Sequence, residues 1–507
     1  MRVLLVHPSP LMYNEIYLRL EPLGMERVAA ALREAKNEVR MVDLQVFTQR
    51  DLFAQLEEFN PRALGFSLNY LANVPEVLDL AKEIRRRRPD CFIFAGGHSG
   101  SFIAAELLAH GEGAIDCVAR GEGEAIAPQL LEAIGERDLA KLPGIVTAGG
   151  AGPAPLLIKD IDRFAPARDL AARRRKYFIG VFDPCASIEF TRGCPWDCSF
   201  CSAWTFYGRS YRQASPEAVA RDLASIAEPN VFIVDDVAFI HPEHGMAIAR
   251  EIERRAIRKH YYLETRADVL CRNREVFEYW HRLGLDLMFM GLEAIDEEGL
   301  KLHRKRSSTS INSKAIEVAA EIGVTLAINL IVEPDWDERR FEMVREWATD
   351  VYGIVHLTIA TPYPGTETWL TESRRLTSLD YRLFDLQHAV LPTRLPLRKF
   401  YQELVKTQAV LNRRHLGWRG LRQVSSEAAR LLLRGQTNFI RMLWKFNSVY
   451  GHERQYRDHL RPAKYLMDPP RLHTSSRPSG DQLYIHRPRP ASAGAETTRG
   501  SAAVTRA

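Results

Sequence analysis

Phe190–Thr191–Arg192–Gly193–Cys194–Pro195–Trp196–Asp197–Cys198–Ser199–Phe200–Cys201 is the stretch on which the reading of this chain turns. It places cysteines at 194, 198 and 201 in a CxxxCxxC spacing. Thiolates are the usual ligands of iron–sulfur clusters. Three on one short loop hold three irons of a [4Fe–4S] cube and leave the fourth open to a non-protein ligand. Structural zinc is the competing use of such thiols. It closes its tetrahedron with a fourth ligand, for which Cys185 is the candidate, but zinc ribbons use paired CxxC knuckles rather than this spacing.

The rest of the composition agrees with an intracellular protein. The seven cysteines in 507 residues are an odd, sparse set, which argues against a disulfide framework. No apolar run reaches the ~18 residues of a spanning helix, and the first ten residues carry no signal-peptide pattern. These features predict a soluble, cytoplasmic chain. The formal charge of +5 is uneven: residues 399–450 hold ten Lys/Arg against two Asp/Glu, whereas residues 1–398 are net acidic. An acidic main body is not a nucleic-acid footprint. A basic back end fits an anionic surface, such as the inner face of a membrane.

Upstream of the cysteine loop, short apolar runs at 3–6, 38–42, 63–68, 92–95 and 117–119 alternate with helical patterns such as 24–35 and 75–88. Strands separated by helices predict βαβ units in a doubly wound sheet. Its ligands bind outside the carboxyl ends of the strands. Those ends carry Ser67 and Asn69, then Gly96, Gly97 and His98, then Gly121 and Glu122. None forms a GxGxxG fingerprint, so a nicotinamide or flavin dinucleotide is disfavoured. Residues 144–184 read as a linker, beginning with a Gly/Ala/Pro-rich stretch at 144–155.

From residue 187 a second set of strands recurs at 187–190, 231–234, 261–264, 287–292, 326–332 and 357–360, predicting a partial six-stranded (β/α) barrel. The expected fold is therefore α/β: a doubly wound domain over 1–143, a barrel over 185–395, and a mainly helical basic region over 396–468. Residues 469–507 are rich in Pro, Ser, Arg and Ala and are expected to be disordered. Within the helical region, 430–446 shows Leu431, Leu432, Phe439, Ile440, Leu443 and Trp444 as an apolar face. That face either packs on the barrel or lies in a lipid headgroup layer.

The cysteine loop, with Phe200 just before its last cysteine, resembles the radical S-adenosylmethionine (SAM) superfamily. Downstream segments agree in order: Val234–Asp235–Asp236, Glu264–Thr265–Arg266–Ala267–Asp268, Gly291–Leu292–Glu293 and Thr361–Pro362–Tyr363–Pro364–Gly365–Thr366. The resemblance implies that Cys194, Cys198 and Cys201 hold a [4Fe–4S] cluster whose open iron chelates SAM. It also implies that Phe200, Asp236, Arg266, Glu293 and Thr361 contact SAM, with Arg266 pairing its carboxylate. At the fifth strand Asn329 stands where the family often has a glycine pair.

A doubly wound domain ahead of such a barrel is similar to the cobalamin-dependent class of the superfamily. That class implies Ser67, Asn69, Gly96, Gly97, His98, Gly121 and Glu122 at a cobalamin (methylcobalamin) site. The DxHxxG motif that puts a histidine on cobalt is absent. Within the class, 6–13, 17–24, 69–75 and 97–102 resemble the hopanoid C-3 methylases. The implied activity is methylation of an unactivated sp³ carbon of a pentacyclic triterpenoid lipid. A flavodoxin or ferredoxin is the implied electron donor, and residues 399–450 are a candidate membrane contact. Ring formation or rearrangement on another substrate is the alternative reaction, and a non-catalytic cobalamin or redox sensor the alternative role. A methylthiolating enzyme fits poorly, because the N-terminal domain offers only Cys91 and Cys117 and both are expected to pack in the sheet.

Overall fold

The computed structural model describes residues 1–11, 16–135, 138–351, 353–416, 418–468 and 484–486. Five parallel strands form most of the N-terminal sheet, in the order Glu38–Asp43, Arg2–His7, Ala63–Ser67, Phe92–Gly96 and Cys117–Ala119. Alternate residues feed two cores, as period-two geometry requires. Leu4, Val6, Phe66 and Ile93 enter one, and Val3, Leu5, Ala63 and Phe94 the other. Helices therefore cover both faces, which is the doubly wound arrangement. Cys91 and Cys117 are buried among these apolar side chains, as expected.

The stretch taken as a linker behaves differently at its start. Ile145–Thr147 and Gly150–Ala151 extend the sheet antiparallel beyond Cys117–Ala119, so this edge is part of the domain. These strands are too short for a period-two signal to stand out from the Gly/Ala background.

Six parallel strands make the second sheet: Cys185–Ile188, Asn230–Ile233, His260–Thr265, Leu285–Glu293, Thr325–Val332 and Ile354–Ile359, in sequence order. The first begins and ends two residues earlier than predicted. The Phe190 and Thr191 amides donate to Asp235 Oδ1 (2.7 and 3.0 Å) instead of continuing a ladder. Ile233, Leu263, Met288, Leu326 and Leu357 pack outward against helices. On the concave face Phe182, Cys185, Phe232 and Tyr262 form a separate apolar cluster with Val234, Leu287 and Phe289.

The C-terminal region is helical over Leu397–Leu416, Trp418–Leu433, Asn438–Val449 and His452–Asp458. The single amphipathic face predicted over 430–446 is not formed. A turn at 434–437 breaks the helix, and Leu431 and Phe439 turn inward while Leu432, Leu443 and Trp444 stay exposed. Most of the expected disordered tail lies outside the described residues. Its residues 484–486 are an exception: Ile485 and His486 are buried. Among the described residues no helix is long and apolar enough to cross a membrane.

Candidate active site at the facing strand ends

The carboxyl ends of the two sheets face each other across a charged seam. Arg192, just after the first barrel strand, donates to Glu122 (2.7 Å), Glu124 (2.6 Å) and Glu189 (2.8 and 2.9 Å). Arg212 adds two 2.8 Å bonds to Glu122, and the Ile158 amide a third contact at 2.7 Å. All four charged partners of this knot on the seam's core side, Arg192, Arg212, Glu122 and Glu124, are buried. A second knot joins Arg168 to Glu21 (2.9 Å) and Asp222 (2.7 Å), and Arg174 to Glu21 and Glu228. Glu122 was expected at cobalamin; the structure gives it to the seam instead. The partner responsible, Arg192, lies 70 residues away in sequence.

The cysteine loop sits on top of the barrel. Gly193 begins it at φ +95°, and a Cβ there would lie 2.4 Å from the Ser210 carbonyl, so only glycine fits. Asp236 accepts from the Gly193 amide at 3.1 Å and is exposed to the cleft. The Ala203 amide points at Cys201 Sγ (3.4 Å), and Arg266 lies 3.9 Å from Cys198 Sγ. Burial pushes the Cys194 and Cys201 thiols up, Cys201 to about 12. A cluster that stabilises the thiolates fits such sulfurs, which are flanked by N–H donors. Cys185 belongs to the apolar cluster on the concave face, apart from the loop. Among the described residues, no three His, Cys, Asp or Glu side chains gather on a single metal ion.

The remaining SAM candidates converge beside the loop. Arg266 stacks over Trp196 (4.3 Å), bonds Asp268 (2.8 Å) and donates to the Lys305 carbonyl (2.7 Å). Glu293 stands at φ +67°, a left-handed conformation costing a non-glycine residue on the order of 1–2 kcal/mol. It receives Lys305 Nζ at 2.8 Å and Asn329 Nδ2 at 3.3 Å. Asn329 also bonds Thr358 (3.1 Å). Glu264 faces the same cleft, half-buried; burial, with Asp236 and Glu293 nearby, pushes it up to about 7. Phe200 meets His303 edge-on at 5.5 Å. Thr361 is buried and donates to the Ile359 carbonyl (3.0 Å), a local backbone role. Reading the sequence missed Lys305, and it noted Asn329 only as a departure from a glycine pair, not as a partner of Glu293. The available signal for Lys305 was the basic run His303–Arg304–Lys305–Arg306 in an otherwise acidic body.

On the opposite edge, Gly97 takes φ +100°, and a Cβ there would meet the Leu68 carbonyl at 2.7 Å and Asn69 Oδ1 at 2.8 Å. Asn69 accepts from the His98 amide (3.1 Å) and donates to Ser67 (3.3 Å). His98 bonds Ser202 (2.8 Å), next to Cys201, and stacks on Phe206 at 4.7 Å. Burial pulls its imidazole down to about 4, so it is neutral at physiological pH. Beside this edge a cavity of about 220 Å³ opens among His7, Ser9, Leu20, Gly24, Asn69 and Tyr70. Glycine-lined strand ends, short polar side chains and this adjoining space fit a bulky cofactor held between the domains.

The buried tail residues close one flank. The Ile485 amide donates to the Thr205 carbonyl (3.0 Å), and Tyr484 meets Trp204 edge-on at 5.6 Å. His486 bonds the Pro155 carbonyl (3.0 Å) and packs on Gly121. Gly121 is thus covered by the chain itself.

Comparison with known proteins agrees with this layout. Residues 11–131 match the B12 binding domain family and residues 188–348 the radical SAM superfamily. A hopanoid C-3 methylase of Methylococcus capsulatus is 58% identical over 96% of this chain and 95% of its own. An anaerobic magnesium-protoporphyrin IX monomethyl ester cyclase of Rubrivivax gelatinosus is 24% identical over 76% of this chain and 72% of its own. Among solved structures, the cobalamin-dependent SAM radical enzyme OxsB with aqua-cobalamin bound aligns with a TM-score of 0.63. It covers 90% of this chain and 80% of its own at 15% identity. The radical SAM methyltransferase TsrM from Kitasatospora setae aligns at 0.59, covering 74% and 77% at 18% identity; both share the fold. With a B12-binding domain ahead of a radical SAM domain and this identity over nearly its full length, the chain belongs to the hopanoid C-3 methylase family.

Proposed function

We propose that this protein methylates C-3 of a hopanoid, using SAM, a [4Fe–4S] cluster and cobalamin. The observation that carries the reading is the 58% identity to a hopanoid C-3 methylase over 96% of the chain. The apolar concave face of the barrel, with Phe232, Tyr262, Leu287 and Phe289, suits a polycyclic hydrocarbon. When bound, the three cofactors supply the radical that takes hydrogen from the carbon and the methyl group that replaces it.

The chain's own residues bind and position. Cys194, Cys198 and Cys201 hold the cluster. Arg266, Glu293 and Lys305 orient the carboxylate and amine of SAM, with Phe200 and Asp236 beside it. Ser67, Asn69, Gly96, Gly97 and His98 shape the cobalamin edge. Phe182, Val234 and their neighbours exclude water from the reacting carbon. In this reading a flavodoxin or ferredoxin donates the electrons, and residues 399–450 contact the membrane in which the lipid resides.

The test uses anaerobically purified protein, a detergent-dispersed hopanoid, SAM and a reductant, with the product read by mass spectrometry. The expected product gains one methyl group on the first ring. In Cys198→Ala, iron content and product both fall to background. Formation of 5′-deoxyadenosine with no methylated hopanoid would overturn the substrate assignment.

A further inference from the structure

Large apolar side chains exposed one at a time are ordinary, but a cluster of them marks a binding surface. Leu432, Leu433, Leu443 and Trp444 are 49%, 90%, 42% and 79% exposed, all within the helical hairpin of Trp418–Leu433 and Asn438–Val449. Leu431 and Phe439 supply the inward face of the same hairpin, so the outer apolar groups are surplus to its packing. Arg434 is exposed in the turn between the helices. The surrounding segment 399–450 is strongly basic, with ten Lys/Arg against two Asp/Glu. Tryptophan and leucine beside cations are the make-up of an element that lies in a lipid headgroup layer.

The hairpin also lies across the open side of the barrel. Asn438 donates to Asp183 (3.1 Å), just ahead of the first barrel strand. At its other end Val449 packs on Ile16, and Tyr450 lies 5.3 Å from Tyr17, whose ring meets His356 of the last strand at 6.2 Å.

We infer that the outer face of this hairpin docks on an anionic lipid bilayer and turns the barrel's open side toward it, so that a lipid enters from the membrane. The docking stands on the surface itself; the entry route rests on the hopanoid reading. The test is co-sedimentation of the full-length protein with vesicles of phosphatidylcholine containing phosphatidylglycerol, and with phosphatidylcholine alone. Binding is expected to the anionic vesicles and to weaken at high salt. Leu433→Ser/Trp444→Ser should lower the partition coefficient more than about tenfold at an unchanged melting temperature. Arg434→Glu, at an exposed position in the turn, should lower it by a smaller factor, and keeps the test valid should the double variant fold poorly. Equal sedimentation of all three proteins would overturn the proposal, as would a hairpin-dependent dimer in sedimentation velocity, which would make a second copy the occupant. The variants should methylate detergent-dispersed hopanoid as the parent does. No methylation by any of them would remove the substrate reading and leave the vesicle result standing.

Discussion

The seam between the two domains and the C-terminal hairpin are both rich in arginine, yet they solve opposite problems. At the seam Arg192, Arg212 and Arg168 are buried and matched to carboxylates at hydrogen-bond distance, Arg192 to three and Arg168 to two. Such pairs gain little over apolar packing, but removing one partner strands the other charges in low dielectric. The seam therefore holds one relative position of the strand ends that carry His98 and the cysteine loop. In the hairpin Leu432, Leu433, Leu443 and Trp444 are exposed while Leu431 and Phe439 are buried, so little is lost when the outer face changes. One surface fixes geometry and the other meets a partner.

Breaking the seam should give the largest effect. Arg192→Met leaves Glu122, Glu124 and Glu189 without their shared cation and should cost about 3–5 kcal/mol, read as a lowered melting midpoint in chemical denaturation. Adding Glu124→Gln should recover part of that loss; full additivity of the two changes would show that the pair is not coupled.

The anchor behind the hairpin should respond to pH. His388 sits between Asp385 (3.0 Å) and Asp458 (3.5 Å), which tie the last helix to the loop after the barrel. Burial opposes its charge, but the two carboxylates overcome that and hold its imidazole up at about 9. A folded value above the unfolded one means that this stability is complete below pH 6.5 and is lost as pH rises toward 9. The loss should be on the order of 3 kcal/mol across that window. In His388→Gln the dependence over pH 6.5–9 should flatten; an unchanged slope would assign it to other groups.

The tail contact should be the weakest link. Among the described residues it consists of one backbone hydrogen bond, one histidine bond, ring contacts of Tyr484 and His486, and the burial of Ile485. Ile485→Asp should open it, at a local cost of about 2 kcal/mol, seen as faster amide exchange at position 485. Exchange should stay unchanged in the central strands of both sheets.

Reading the chain alone succeeds where signals are local. Apolar runs such as Val3 to Val6 and Leu326 to Val332 carry their own burial pattern, and the spacing of Cys194, Cys198 and Cys201 carries its chemistry. It fails where a partner is remote. Glu122 looks like a ligand at a strand end until Arg192 and Arg212 are brought to it. The pair Lys305–Glu293 joins residues 12 apart through a bulged strand end, which periodicity does not reveal. Residues 430–446 have helical spacing throughout, but the turn at 434–437 gives its two halves different faces.

By itself, then, the sequence determined the α/β class, the order of the two sheets and the loop that offers three thiols, because hydrophobic period and motif spacing act over a few residues. Tertiary structure alone decided which charged groups are spent on the seam and which face the cleft. It also decided that a tail segment packs on Gly121 and that Leu433 and Trp444 face outward. Those outcomes depend on desolvation and on pairing between groups tens to hundreds of residues apart, and no local pattern encodes them.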